Sequence, residues 1–135
     1  MKHLKNILVP LFVTLTLGCN EEKVRHQENS IFGKWSLIRY EAGFSPIEDF
    51  SENQIIWTFN NNNVLDVLIS KSTIVSDRLP LNSSGKYNYT TNENELTLNS
   101  IQSYKYEITD NKLVLSTFIG IEADGMRVTF SKVNQ

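Results

Sequence analysis

Side chains that perform acid–base or nucleophilic chemistry are scarce in this sequence of 135 residues. Histidine occurs only at His3 and His26, and the single cysteine is Cys19. All three precede the stretch whose pattern indicates a folded domain. A Ser-His-Asp triad, a Cys-His pair or a histidine-based zinc site needs histidine inside that domain. We therefore predict none of these sites there, and the sequence also lacks a Gly-rich phosphate loop.

Paired carboxylates are the remaining route to acid–base catalysis. Three groups occur: Glu48 with Asp49 and Glu52, Glu93 with Glu95, and Glu122 with Asp124. Each group lies beside turn residues, where solvated charge is expected. A calcium site in the first group is the alternative, but its spacing differs from that of an EF-hand loop. We predict a solvated surface, no metal, no cofactor and no enzymatic activity.

Aromatic residues give a stronger indication of a binding site. Six lie at alternate positions of predicted strands: Trp57, Phe59, Tyr87, Tyr89, Tyr104 and Tyr106. Facing inward, they would form apolar walls with hydroxyls that orient a small, partly apolar ligand. The alternative is a packed core with hydroxyls at its rim. A filled interior suits so short a domain at least as well as a ligand site does. An internal void would favour a ligand; a solid interior with an exposed apolar strip would favour a protein partner.

The first eighteen residues have the pattern of a secretory signal peptide. Lys2 and Lys5 precede an apolar run over residues 7–17, too short to span a membrane as a helix. Cys19 follows Leu-Thr-Leu-Gly, which resembles the lipobox of bacterial lipoproteins, although Thr16 stands where leucine is usual. The resemblance implies cleavage before Cys19 and attachment of lipid, including acyl chains such as palmitate, to that residue. We expect a membrane-anchored protein.

Residues 19–30 are predicted to be a flexible tether, because they are polar and lack periodicity. Glu21 and Glu22 resemble the export signals of outer-membrane lipoproteins of the Bacteroidota, which implies an outer-membrane location on the periplasmic or surface side. Without residues 1–18, the chain contains 11 Lys and Arg and 15 Asp and Glu, which gives a net charge of −4. This acidity argues against a nucleic-acid partner.

Apolar and polar residues alternate through residues 31–133, as in antiparallel sheet. Trp35 with Leu37, and Leu65 with Val67, show the pattern. Residues 72–75 are predicted as a short exposed strand, and residues 46–53 as at most one helical turn. Polar turns are predicted at residues 60–63, 91–94, 110–111 and 124–125. We predict an all-β fold, an up-and-down meander of about eight strands that closes into a small barrel, because open edges invite aggregation.

Gly33-Lys34-Trp35 at the head of the first strand, followed by a long loop and this meander, resembles the lipocalins. Small lipocalin-like lipoproteins of the Bacteroidota have sequence segments similar to three in this chain: Gly85-Lys86-Tyr87, Tyr106-Glu107-Ile108-Thr109 and Val128-Thr129-Phe130. Two features depart from lipocalins: no helix follows the last strand, and the second lipocalin motif is absent.

The lipocalin resemblance implies that Trp35 is a plug at the closed end of the barrel, beneath a cation from Arg127 or Lys132. The functional hypothesis is a lipoprotein that binds a small, partly apolar ligand within its barrel and the loop over residues 42–53. The alternative is a filled barrel that binds another cell-envelope protein through its outer surface.

Overall fold

A computed structural model describes residues 30–117 and 125–134, which form an antiparallel β-sheet of nine strands. The strands are β1 (Gly33–Ala42), β2 (Glu48–Asp49), β3 (Ile55–Phe59), β4 (Val64–Ile69), β5 (Gly85–Asn92), β6 (Glu95–Leu98), β7 (Gln102–Thr109), β8 (Lys112–Ser116) and β9 (Met126–Lys132). Within these residues, no helix has the length and apolarity needed to cross a membrane.

Eight of the strands close into a barrel, in agreement with the predicted architecture. Each of them pairs with its neighbour along the chain, and β1 then pairs with β9 from Trp35↔Lys132 to Ala42↔Met126. Strand β2 is an addition that pairs only with β1, through Arg39↔Asp49 and Tyr40↔Glu48. Closure satisfies strand edges that would otherwise be open.

A bulge in β1 keeps its apolar side chains inside the barrel. The register with β9 shifts between Leu37 and Arg39, so Ile38 is an extra residue in β1. Strict alternation from Leu37 would turn Tyr40 outward, whereas the extra residue leaves it 3% exposed.

The interior is filled by the inward-facing residues of every barrel strand. Among the largest that are almost completely buried are Trp35, Trp57, Tyr104, Phe59 and Phe130. The ring centroids of Trp57 and Phe130 are 4.9 Å apart, and those of Phe59 and Tyr89 are 5.1 Å apart in an edge-to-face contact. The alternation seen in the sequence therefore produces one continuous core.

The two ends of the barrel differ in character. At the polar end, chain reversals fall at residues 60–63, 93–94 and 110–111, which are all Asn, Asp or Glu. Asn63, Glu93 and Asp110 have positive φ there, and Asn and Asp tolerate this conformation best among residues with a Cβ. At the other end, the loop end, the connections include residues 43–54, 70–84 and 99–101.

The structure differs from two local predictions and leaves a third partly untested. Residues 72–75 belong to the loop over residues 70–84, so the predicted strand is wrong. Strand β4 pairs directly with β5, and no described strand pairs with this segment. Residues 46–53 contain strand β2 instead of a helical turn, because β1 offers them a free edge beyond its pairing with β3. The predicted turn at residues 124–125 lies partly outside the described residues.

Candidate functional site

Trp35 lies at the polar end of the barrel under a lysine. Its indole Nε1 donates a hydrogen bond of 2.7 Å to the carbonyl oxygen of Ile31, and its side chain is 1% exposed. Lys132 Nζ lies 4.2 Å from the centroid of the Trp35 ring and donates to the carbonyl oxygen of Phe32 at 2.7 Å. Partial burial lowers the pKa of Lys132 below its usual value. The cation over Trp35 is thus Lys132 and not Arg127, the other residue that the sequence offered.

Gly33 allows this approach. Its φ is +108°, a conformation that residues with a Cβ rarely adopt, and a Cβ at this position would lie 3.2 Å from Lys132 Nζ. The glycine of Gly-x-Trp therefore provides both the backbone conformation and the space that Lys132 needs.

The six aromatic residues predicted to line a ligand site do not share one environment. Trp57, Phe59, Tyr89 and Tyr104 are buried in the core. Tyr87 is half-buried, and its hydroxyl donates to the carbonyl oxygen of Ser83 in the loop between β4 and β5.

Tyr106 is also half-buried and lies on a groove of ≈ 590 Å³ on the β7–β9 side. Glu107, Val114 and Arg127 line the same groove, which mixes charges of both signs with apolar surface.

Two polar atoms in the core have no hydrogen-bond partner within the described part of the chain. They are Nε1 of Trp57 and the hydroxyl of Tyr104, and both residues are 0% exposed. Trp57 lies on β3 and Tyr104 on β7, which are four strands apart in either direction around the eight-stranded barrel. The two unpartnered groups therefore belong to opposite walls.

Burial also affects the acidity of Tyr104. Loss of hydration, with a smaller contribution from Tyr40, raises the pKa of Tyr104 to about 12. The hydroxyl therefore keeps its proton at neutral pH and can donate a hydrogen bond.

Side chains occupy the barrel interior closely around these groups. The exposures of Trp57, Leu65, Leu113 and Phe130 are all 0%, which leaves no solvent-sized space against them. The form described here is therefore closed around the predicted lining.

The loop over residues 70–84 covers the loop end of the barrel. Leu79 and Leu81 belong to the core and are 4% and 7% exposed. Between them in the chain, Pro80 restricts the backbone. The sequence prediction missed this cover, although two leucines flanking a proline in a polar segment are a recognisable signal.

Arg78 links this loop to the first one. Its Nη2 lies 2.8 Å from Glu48 Oε1, and its guanidinium carbon lies 6.0 Å from the centroid of the Tyr40 ring. Both charged side chains of the pair are partly solvated, so the ion pair contributes at most about 1 kcal/mol.

Two carboxylates of the first loop, Glu48 and Asp49, have structural partners. Asp49 accepts a hydrogen bond from Arg39 Nε at 2.7 Å, and Glu48 pairs with Arg78. Among the described residues, no group of three His, Cys, Asp or Glu side chains is placed to hold a metal ion. Glu122, Asp124 and the lipidation candidate Cys19 lie outside the described residues.

Comparison with known proteins assigns the family. Comparison with curated proteins gives no significant match. The sequence profile of the lipocalin-like domain matches residues 31–115, which cover β1 to most of β8 and more than half of the chain. This match agrees with the closed antiparallel barrel and with the tryptophan of Gly-x-Trp beneath a lysine of the last strand. The chain belongs to the lipocalin-like domain family.

Proposed function

We propose that the protein is a membrane-anchored lipoprotein whose barrel binds a small, partly apolar molecule that bears a hydrogen-bond acceptor. Residues 1–18 act as the signal peptide, and lipid on Cys19 anchors the chain in the cell envelope, at the outer membrane. The observation that carries the ligand proposal is the pair of unpartnered donors on opposite walls, Trp57 Nε1 and the Tyr104 hydroxyl.

The energetics of these donors favour a binding role. A buried donor without a partner destabilises a fold by about 1–3 kcal/mol, and native cores contain few such groups. Phenylalanine at position 104 would pack equally well without this penalty. A ligand carbonyl or carboxylate oxygen would satisfy either donor, which explains why polar side chains occupy an otherwise apolar interior.

Access to the interior would come from the loop end. Leu79 and Leu81 fill the top of the core there, and the loop that carries them is joined to the first loop by the solvated Arg78–Glu48 pair. In the proposed bound form, the ligand takes the place of these two leucines. Thr73 Oγ1 and Ser76 Oγ, in the same loop, are also buried and have no hydrogen-bond partner among the residues that the structure describes, which makes the closed position of the loop less stable.

Matched probes test this proposal. Titration of the full chain, embedded in lipid nanodiscs, with a straight-chain methyl ketone should change tryptophan fluorescence. The alkane of the same length should bind at least about tenfold more weakly, because it leaves the donors unpaired. Tyr104→Phe should reduce the preference for the ketone. Equal responses to both probes in the native protein would contradict a role for these donors.

A second candidate function is that of an interaction lipoprotein with a permanently filled barrel. The complete burial of Trp57, Phe59 and Tyr104 favours it, because no open cup faces solvent at these residues. In that case binding would use the exterior surface, and neither probe would bind.

A further inference from the structure

A row of polar residues crosses the outer face of the barrel near its polar end. Strand register aligns one residue from each of β7, β8, β9 and β1 in this row: Thr109, Lys112, Ser131 and Ser36. Leu113 and Phe130, the chain neighbours of Lys112 and Ser131, are buried in the core, so the row faces outward. The members on β9 and β1 are serines, and their short side chains leave a depression over these two strands.

Two depressions lie along this row and adjoin each other. One has a volume of ≈ 420 Å³ and includes Ser36, Asn111 and Ser131 in its lining. The other has a volume of ≈ 430 Å³ and includes Asn111, Val114 and Ser131. Because Asn111 and Ser131 belong to both, the depressions form one feature, which we call the outer groove. It extends from β8 to β1, about 10 Å across the strands, and its volume is in the range of small-molecule sites.

Several side chains of the outer groove are not used by the fold itself. Within the part of the chain that the structure describes, five polar side chains on the groove make no hydrogen bond or ion pair: Glu52, Asn53, Asn111, Ser131 and Asn134. The wall that carries the first two is held in place, because the amide of Asn53 donates to the buried Ser36 hydroxyl at 2.9 Å. The groove thus presents unpaired donors and acceptors at defined positions, which favours a ligand with hydrogen-bonding groups of both kinds.

The charge and the backbone of the outer groove restrict the class of ligand. Three carboxylates line it: Glu52, Glu107 and Asp110. Its lysines are Lys112 and Lys132, and the ammonium group of Lys132 lies over Trp35. Phosphate and other strongly anionic ligands are therefore disfavoured. Strands β8, β9 and β1 each pair on both sides, so their backbone cannot accept a peptide as an added strand.

We propose that the outer groove binds a linear chain of uncharged sugar residues. Sugar hydroxyls both donate and accept hydrogen bonds, and the amides of Asn53, Asn111 and Asn134 do the same. The Glu52 carboxylate can accept from two neighbouring hydroxyls. Val114, half-buried in the second depression, offers an apolar contact to the C–H face of a ring. The groove is longer than one sugar ring, so a chain fills it better than a monosaccharide does.

The outer groove is separate from the ligand site proposed within the barrel. Trp57 and Tyr104 belong to the core, and neither lines the groove. The sugar proposal therefore depends neither on the barrel site nor on the lipid anchor.

An oligosaccharide array tests this proposal with the full chain in lipid nanodiscs. The array carries neutral chains, including maltotetraose, cellotetraose and chitotetraose, beside acidic chains of similar length. We expect binding to at least one neutral chain, and at least about tenfold weaker binding to its monosaccharide, which reaches fewer of the hydrogen-bonding groups. Affinity for the neutral chain should change little with salt, because the ligand carries no charge for salt to screen.

Matched variants locate the binding. Asn111→Ala should weaken the affinity for the neutral chain about 2–10-fold, as for the loss of one hydrogen bond. Ser131→Val places a larger side chain on the floor of the groove and should weaken it at least about tenfold. Asn62→Ala, at an exposed position in the turn over residues 60–63, is the control and should bind as the native protein does. Asn111→Ala alone decides the test if Ser131→Val does not fold.

The other outcomes overturn the proposal. Absence of binding to every neutral chain, or binding to acidic chains alone that falls with rising salt, would show that the groove is not a site for uncharged sugars. Equal binding by Asn111→Ala and Asn62→Ala would place the sugar elsewhere on the protein. Competition by a straight-chain methyl ketone would place it inside the barrel.

Discussion

Lys132 shows how one residue joins the end of the chain to its beginning. Its ammonium group contacts the face of Trp35 and hydrogen-bonds to the carbonyl oxygen of Phe32, so it links β9 to the segment that precedes β1. The resemblance to lipocalins implied a cation over Trp35, and the sequence offered Arg127 and Lys132 for it. The choice between Lys132 and Arg127 depended on the β1–β9 register, which the sequence does not reveal.

Lys132→Met should lower the free energy of unfolding by about 1–3 kcal/mol, because it removes the cation–π contact and one hydrogen bond but keeps the aliphatic length. Chemical denaturation measures this change. Lys34→Met, at an exposed position of β1, is the matched control and should change stability by less than about 0.5 kcal/mol. Equal effects of the two substitutions would show that the contact contributes nothing.

The raised pKa of Tyr104 should make the folded protein less stable at alkaline pH. In the unfolded chain its pKa is near 10.0, whereas in the folded protein it is about 12. The folded state therefore holds a proton that the unfolded state releases, and stability falls as pH rises through this interval. The loss is about 2–3 kcal/mol once pH passes the upper value.

Tyr104→Phe should weaken this pH dependence, and part of it should persist because burial also raises the pKa values of Tyr40 and Tyr89. At neutral pH the substitution should leave stability unchanged or increase it by up to about 3 kcal/mol, because an unpaired buried hydroxyl is lost. Denaturation curves across the alkaline range test both effects. A large loss of stability at neutral pH in this variant would mean that the Tyr104 hydroxyl has a hydrogen-bond partner in the folded protein. Nothing in the sequence distinguishes this tyrosine from Tyr89, since pairing depends on atoms contributed by distant strands.

Among the elements, the alternation of apolar and polar residues predicted the barrel strands correctly but did not predict the structure of the loops. Strands such as β3 and β4 bury every second residue, and that period is visible in the sequence. The residues over 72–75 have strand-forming side chains but no neighbouring strand to pair with. Strand β2 forms only because β1 extends beyond β3, a geometric fact without a local signal.

The loop over residues 70–84 offers a matched pair of substitutions. Leu79→Ala should destabilise the protein by about 2–5 kcal/mol, because Leu79 is buried in the core. Ile74→Ala, in the same loop but 92% exposed, should change stability by less than about 0.5 kcal/mol. Hydrogen exchange should quicken in this loop for Leu79→Ala only. Similar behaviour of the two variants would show that the loop does not cover the core as described.

At the scale of the whole molecule, the sequence predicted a closed barrel from the need to satisfy strand edges, and the β1–β9 pairing confirms it. It could not predict whether that barrel is filled, because the packing of Trp57 against Phe130 depends on side-chain volumes from several strands.

The proposed lipid anchor is tested in the full chain. Cys19→Ser should move the protein from the membrane fraction to the soluble fraction of cell extracts, because a serine at this position cannot accept the thioether-linked lipid. Binding to membranes that persists in this variant would contradict the proposed lipidation.

The proposed binding of a small molecule through Trp57 and Tyr104 is tested most directly by native mass spectrometry of the full chain, purified from its own cells beside the Tyr104→Phe variant. We expect the native protein to retain an added mass from a small molecule with an apolar body and an oxygen acceptor, and the variant to retain much less. Repeated recovery of the native protein without any added mass would contradict the claim.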